Sequence, residues 1–285
     1  MPLPRSRFVT AEPVSLPGVT EEDRNHRTKR RIDGQLVYAV GDIHGRYDLL
    51  LILLEQIARD ARRHEVAGRR PLLIFCGDYV DRGPDSAKVL STIAWMRAGT
   101  AFETRCLKGN HEQMMLTYIE QPPAAAGWLR VGGAETLASY GITAPAWDAV
   151  PEEHYRARDQ LLDAMSARHL RLLQTLETLL LIGDYAFAHA GVRPGVSLHR
   201  QLERDLLWIR DDFLNARRGF KKMIVHGHSW DSDEPFFGAN RIGVDTGAYR
   251  TGVLTAARIM DGEIGYLQAH GPEGPESYEA GHGDH

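Results

Sequence analysis

The sequence predicts an α/β domain, and three observations predict it. Short apolar runs alternate with stretches of helical periodicity. Several of those runs stop abruptly at Gly, Asp, Asn or His, as strands do in open α/β sheets, where ligand sites gather at the carboxyl ends. The chain has 285 residues, 43% hydrophobic and 25% charged, an ordinary globular balance with enough length to bury a core.

The elements follow in order. Strands are expected at 36–40, 72–76, 104–107, 223–225 and 241–244, each an apolar run bounded by turn-forming residues. One hairpin is expected from 179–182 and 186–188 across Gly183, Asp184 and Tyr185. A second pairs 252–260 with 264–269 across Asp261-Gly262, a favoured turn pair. Helical spacing runs over 47–63, 86–98, 111–120 and 151–177, with Pro84 and Asp85 well placed to start the second helix. The stretch 121–151, rich in Ala, Gly and Pro, reads as a loop-and-short-helix insertion over one face. Residues 1–31 hold four prolines and the basic cluster Arg27-Thr28-Lys29-Arg30-Arg31, and read as a flexible, solvated lead-in. One domain is expected over 32–270, and 271–285 reads as a flexible tail ending near His282 and His285.

Composition removes several function classes. A net charge of −4 argues against an extended phosphate-backbone binder, so no nucleic-acid partner is expected. No apolar run approaches the roughly 18 residues of a membrane span, and no apolar signal core opens the chain, so a cytoplasmic protein without a membrane partner is expected. Two cysteines, Cys76 and Cys106, exclude a disulfide scaffold and a Cys-rich zinc module; both lie in apolar runs and are expected to be free and buried. The 13 histidines carry information only where they stand at metal-ligand spacing.

Five strand ends do place them so. Gly41-Asp42-Ile43-His44-Gly45 sets an Asp and a His two apart, on the same side of an extended chain. Gly77-Asp78-Tyr79-Val80-Asp81-Arg82-Gly83 puts two carboxylates and a guanidinium on one turn, and Gly109-Asn110-His111-Glu112 joins an amide oxygen to an imidazole. His189-Ala190-Gly191 and His226-Gly227-His228 follow two further strands. Each motif alone has an ordinary reading: a surface ion pair, a helix cap, a hydrogen-bonded core histidine. More than ten fixed positions, each met by chance about once in twenty, do not.

In this order the motifs resemble those of the phosphoprotein phosphatase family of binuclear metallophosphoesterases, in its bacterial serine/threonine phosphatase form, over 36–268. The resemblance implies a four-layer αββα sandwich with two central mixed sheets. It implies two divalent metal ions, one held by Asp42 and His44, the other by Asn110, His189 and His228, with Asp78 bridging both. His228 rather than His226 takes the ligand role, His226 being a neighbouring hydrogen-bond partner. A hydroxide shared by the metals would attack phosphorus in line without a phosphoenzyme. His111 would protonate the leaving oxygen, with Asp81 holding its ring. Arg82 would clamp the phosphate, together with Asn110 and a second arginine, Arg210, for which Arg217 and Arg218 are rivals. Mixed nitrogen and oxygen donors favour Mn²⁺, with Fe or Zn²⁺ as alternatives, over Mg²⁺.

The resemblance implies a phosphorylated protein or peptide as substrate. Its diadenosine tetraphosphatase branch typically replaces the first Asp of Val-Asp-Arg-Gly with a small residue and reads Gly-Asn-His-Asp. Asp81 and Glu112 depart from that branch, although a Trp and Gly-Gly stretch like that at 128–133 occurs in both. A catalytically silent metal-bound module is disfavoured because no ligand, acid or clamp position is missing. A nuclease is disfavoured by the acidic net charge.

Overall fold

The structure, a computed structural model, describes residues 30–64, 68–99, 101–216 and 219–274. Among the described residues, ten strands form two five-stranded sheets. The first has the order β10-β9-β1-β2-β3, from Val37–Val40 (β1), Leu72–Phe75 (β2), Glu103–Cys106 (β3), Val253–Met260 (β9) and Glu263–His270 (β10). The second has the order β4-β5-β6-β8-β7, from Leu179–Ile182 (β4), Tyr185–Ala188 (β5), Met223–His226 (β6), Phe236–Phe237 (β7) and Arg241–Gly243 (β8). In each sheet three adjacent strands are parallel, β1 with β2 and β3, and β5 with β6 and β8, while the outer strands run antiparallel. Both sheets are therefore mixed.

Side-chain alternation explains the stacking. Val37, Ala39 and Ile74 on the first sheet meet Phe187, Val225 and Ile242 of the second in a core between the sheets. Tyr38, Val40, Leu73 and Phe75 point the other way, onto Leu49, Leu50, Leu53 and Ile57 of helix α1 (Tyr47–Arg63). On the outer face of the second sheet, Ala186, Ala188 and Ile224 pack against Leu206, Ile209 and Phe213. These last residues come from and between the short helices α7 (Glu203–Trp208) and α8 (Asp211–Leu214). Helix, sheet, sheet and helix give the four layers expected. The two thiols fall in different layers: Cys76 lies between the sheets and Cys106 beneath the helices, both free and buried.

The remaining helices are α2 (Ser86–Arg97) and α3 (Asn110–Glu120), both on expected stretches, α4 (Gly133–Ser139) within the insertion, α5 (Pro151–Ala164), α6 (Ala167–Gln174) and the single turn α9 (Ala248–Thr251), which no sequence signal announced. Two expectations are corrected. The helix expected over 151–177 is two helices, because Met165 is extended and Ser166 caps α6 by accepting the backbone N–H of His169 at 3.3 Å. The Gly183-Asp184 turn of the first hairpin is one residue shorter than expected, since Tyr185 already pairs with Ile182. Residues 271–274 continue past β10, tied by Gly271 N–H to Gly252 O, Gly274 N–H to Arg250 O, and the Arg46 guanidinium to Pro272 O. The rest of the tail, most of the lead-in, and Arg217 and Arg218 lie outside the described residues.

Candidate active site

The parallel strands of both sheets end along one seam, and the five motifs meet there. After β1 come Asp42 and His44; after β2, Asp78, Asp81 and Arg82; at the start of α3, Asn110 and His111. The second sheet brings His189 after β5 and His228 after β6. Of these, Asp42, His44, Asp78, Asp81, Asn110, His111, His189 and His228 are all buried. Two contacts tie the sheets at the seam: His189 Nδ1–H donates to Cys76 O at 2.8 Å, and His228 N–H donates to Asp42 Oδ2 at 2.9 Å. Gly227 permits the second, because a Cβ there would lie 2.0 Å from Asp42 Oδ1.

The backbone is strained where the chemistry sits. Six described non-glycine residues have positive φ, and five are His44, Asp78, Asp81, Arg82 and His228. Such conformations persist only where the surroundings over-determine them. Glu112 supplies part of that restraint: its carboxylate accepts the N–H groups of Asp78, Tyr79, Val80 and Gly109 at 2.7–3.3 Å. Glu112 thus shapes the Asp78 turn through backbone contacts.

Among the described residues, two groups of donor atoms lie within 4.8 Å of one another: His44, Asp78 and His111, and Asp78, His189 and His228. Asp78 belongs to both, with Oδ2 3.5 Å from His44 Nε2 and Oδ1 3.4 Å from His189 Nε2. Asp42 belongs to neither group. Its Oδ2 takes the His228 N–H, while its buried Oδ1 has no hydrogen-bond donor.

The donor chemistry fits a cation. The carbonyls of Val80 and Cys76 can only accept, so Nδ1 of His44 and of His189 each carries the ring proton. Burial is the main force holding both rings well toward the neutral form. Each Nε2 therefore carries a lone pair and no proton; that of His44 takes an N–H of Arg82, and that of His189 faces Asn110 Oδ1 (2.8 Å) and Asp78 Oδ1. Three acceptors facing one another with no hydrogen between them fit a metal ion, and a backbone carbonyl orienting the far nitrogen is the usual companion of a ligating histidine. The carboxylates agree: burial, followed for Asp42 by the charges of Asp245 and Asp78, pushes Asp42 well up and Asp78 up to about 8. Nearby positive charge would reverse this.

Beside this cluster, His111 Nδ1 donates to Asp81 Oδ2 at 2.6 Å, and Nε2 faces the cluster, 3.9 Å from Asp78 Oδ2. Arg82 reaches His44 Nε2 with Nη1 at 3.0 Å and lies over the ring of Tyr249. Arg210 donates from Nε to His228 Nε2 at 3.2 Å. Its neighbour Asp212 pairs instead with Arg193, so Arg210 faces the site. His226 does not: Nδ1–H donates to Gly227 O, and its ring packs on Phe213.

A model of the family described as calcineurin-like phosphoesterase matches residues 36–243. The chain belongs to this family. It is 30% identical over 233 residues to serine/threonine-protein phosphatase 1 of Salmonella typhimurium, across 79% of this chain and 92% of that one. It is 30% identical to serine/threonine-protein phosphatase 2 of Escherichia coli, across 78% and 92%. It is also 25% identical to an asymmetrical bis(5'-nucleosyl)-tetraphosphatase of Bacillus velezensis, across 86% and 97%. A crystal structure of a candidate diadenosine tetraphosphatase superposes with a TM-score of 0.54 at 20% identity, covering 84% of this chain and 96% of that one, and shows the shared fold. The chain is therefore a metallophosphoesterase whose structure carries His and Asp clusters suited to divalent metals.

Thr136 and Asp245 escaped the sequence reading, and Trp128 entered it only as part of a stretch common to two branches, with no role at the site. Trp128 Nε1 donates to Asp81 Oδ2 at 2.8 Å, and Thr136 Oγ1 donates to Asp81 Oδ1 at 2.6 Å. Asp245, buried after β8, sits beside Asp42. For Asp245 the signal was present, since Val244-Asp245-Thr246-Gly247 is a sixth strand end that hands over to polar residues.

Proposed function

We propose that the protein is a phosphomonoesterase acting on phosphoserine or phosphothreonine in proteins or peptides. The observation that carries this reading is the buried His111–Asp81 pair at 2.6 Å. A serine or threonine alkoxide is a poor leaving group and needs a proton as the P–O bond breaks. The oxygen expelled from a dinucleotide polyphosphate is far less basic and needs no such donor. A built acid beside the cluster therefore suits a phosphomonoester of an alcohol. The 30% identity to two bacterial proteins named serine/threonine-protein phosphatases supports the same reading.

Asp42, His44 and Asp78 would hold one divalent ion, and Asp78, Asn110, His189 and His228 the other; the mixed nitrogen and oxygen donors suit Mn²⁺. When bound, the pair supplies Lewis-acid polarisation of the phosphoryl oxygens and acidifies a water. Arg82 and Arg210, entering from opposite sheets, place planar guanidinium forks on the phosphate. A water oxygen adds to phosphorus and loses one proton. The bond to the leaving oxygen breaks with its electron pair, and His111 Nε2 delivers a proton to that oxygen. Asp81 holds Nδ1–H throughout, so the ring cannot turn. Burial, then Arg82, His189 and Arg210, push His111 down, so the free ring is neutral with its proton on Nδ1; the proton delivered from Nε2 is one the ring takes up during the reaction, balancing the one the water loses.

Activity on a phosphoserine peptide, a phosphotyrosine peptide and diadenosine tetraphosphate, measured side by side with Mn²⁺, tests the proposal. The phosphoserine peptide is expected to have the highest kcat/KM. A higher value on the dinucleotide would overturn it.

A further inference from the structure

We propose that the insertion at 121–151 is the positioning element of the proton donor, acting through Trp128 and Thr136. Asp81 stands on two consecutive strained residues, with φ of 75° at Asp81 and 67° at Arg82. Left to itself that turn would relax and carry the carboxylate away from His111. The insertion reaches its N–H and both carboxylate oxygens. The Asp81 N–H donates to Thr136 Oγ1 at 2.8 Å and Ser86 Oγ at 3.0 Å, and the Thr136 hydroxyl returns its proton to Asp81 Oδ1. Trp128 Nε1–H fills the second site on Oδ2 beside His111. An indole N–H can only donate, so it orients that oxygen as an acceptor toward Nδ1–H of His111. Gly132 O takes the N–H of Arg82 at 3.3 Å. Gly132 itself has φ of 119°, and a Cβ there would lie 2.4 Å from Arg82 N and 2.8 Å from Asp81 Cβ, so the segment closes directly on the turn. The hydrogen bonds of Trp128 Nε1 and Thr136 Oγ1 go to Asp81 and Ser86, so their effect on rate runs through Asp81 and His111.

This inference rests on the acid role proposed for His111, and its signature is dependence on the leaving group. Trp128→Phe removes one donor and keeps the aromatic packing; Thr136→Val removes the hydroxyl and keeps the volume. Each is compared with wild type and His111→Asn on aryl phosphates graded from nitrophenyl to phenyl phosphate, with bound metal quantified in every sample. Trp128→Phe and Thr136→Val are expected to lose roughly 10–100-fold in kcat/KM on phenyl phosphate, the usual cost of removing a supporting partner. The loss should shrink toward nitrophenyl phosphate, and His111→Asn should show the same slope more steeply. Thr136→Ser, which keeps the hydroxyl, should restore the rate lost in Thr136→Val. Equal losses across the series with metals retained, or no loss at all, overturn the inference. Should Trp128→Phe fail to fold, the Thr136→Val and Thr136→Ser pair carries the test. The aryl series reads the acid whatever the natural substrate, so a protein inactive on phosphoserine peptide but showing these slopes would refute the proposed substrate and sustain the role of the insertion.

Discussion

At the scale of single residues, the site separates side chains that chemistry makes recognisable from those that only position makes important. Asp, His and Asn at strand ends are legible in sequence because few other residue types ligate a metal or carry a proton. Trp128 and Thr136 were not legible as site residues, because many polar side chains can donate to a carboxylate and only the folded chain shows which one does. Glu112 was read as a mark of branch, and the structure adds a role that its motif does not announce. Its two oxygens serve four backbone N–H groups, three of them from the Asp78–Val80 turn. Glu112→Gln keeps the shape but sets an NH₂ against at least one pair of these donors. Leaving two buried N–H groups without acceptors should cost roughly 2–5 kcal/mol, and the Asp78 turn should loosen. Urea unfolding of metal-free protein measures the first effect, and Mn²⁺ affinity the second. Wild-type stability in this variant would show that the four contacts are dispensable.

At the scale of elements, periodicity and capping decide what can be read. The full range of α1 was legible, because its buried Leu49, Leu50, Leu53 and Ile57 follow helical spacing and charges mark both ends. The expected helix over 151–177 failed because apolar spacing resumes after the break, and only Ser166 marks the start of the second segment. A serine inside a polar-rich stretch is a weak signal until its cap bond is seen. Ser166→Ala should therefore cost about 1 kcal/mol and lower the thermal midpoint without changing kcat/KM. No change in unfolding would mean that packing of Leu172 and Leu173 alone fixes α6. The two-residue β7 and the single-turn helices α8 and α9 are too short to carry any period. The strands that hold Cys76 and Cys106 were legible from apolar runs alone, and burial pushes the Cys106 thiol up to about 12. Both thiols are expected to resist labelling in the native protein and to react fully once unfolded; rapid native labelling of either would contradict the burial.

At the scale of the whole molecule, the fold stacks two sheets face to face and gathers buried carboxylates at the seam where their parallel strands end. Asp42 and Asp78 come from the first sheet, and Asp245 comes from the second, all buried, while His189 and His228 of the second complete the ring. A divalent ion bound there offsets that repulsion and links the sheets, so metal binding should appear as stability of the entire domain. Saturation at 100 times Kd adds about 2.7 kcal/mol, which for a domain of this size raises Tm by roughly 5–10 °C. Asp78→Asn separates the two parts of this argument. Removing one buried negative charge relieves repulsion, so the metal-free variant should melt no lower than metal-free wild type. The same change removes the carboxylate common to both donor groups, so Mn²⁺ should no longer raise its Tm, and hydrolysis should be lost. The measurement is thermal unfolding of both proteins after chelation and after Mn²⁺ titration, with bound metal counted. A wild-type Tm indifferent to metal would contradict the coupling of the seam to the fold. An Asp78→Asn protein that binds two ions and gains the full shift would show that the two groups do not share Asp78.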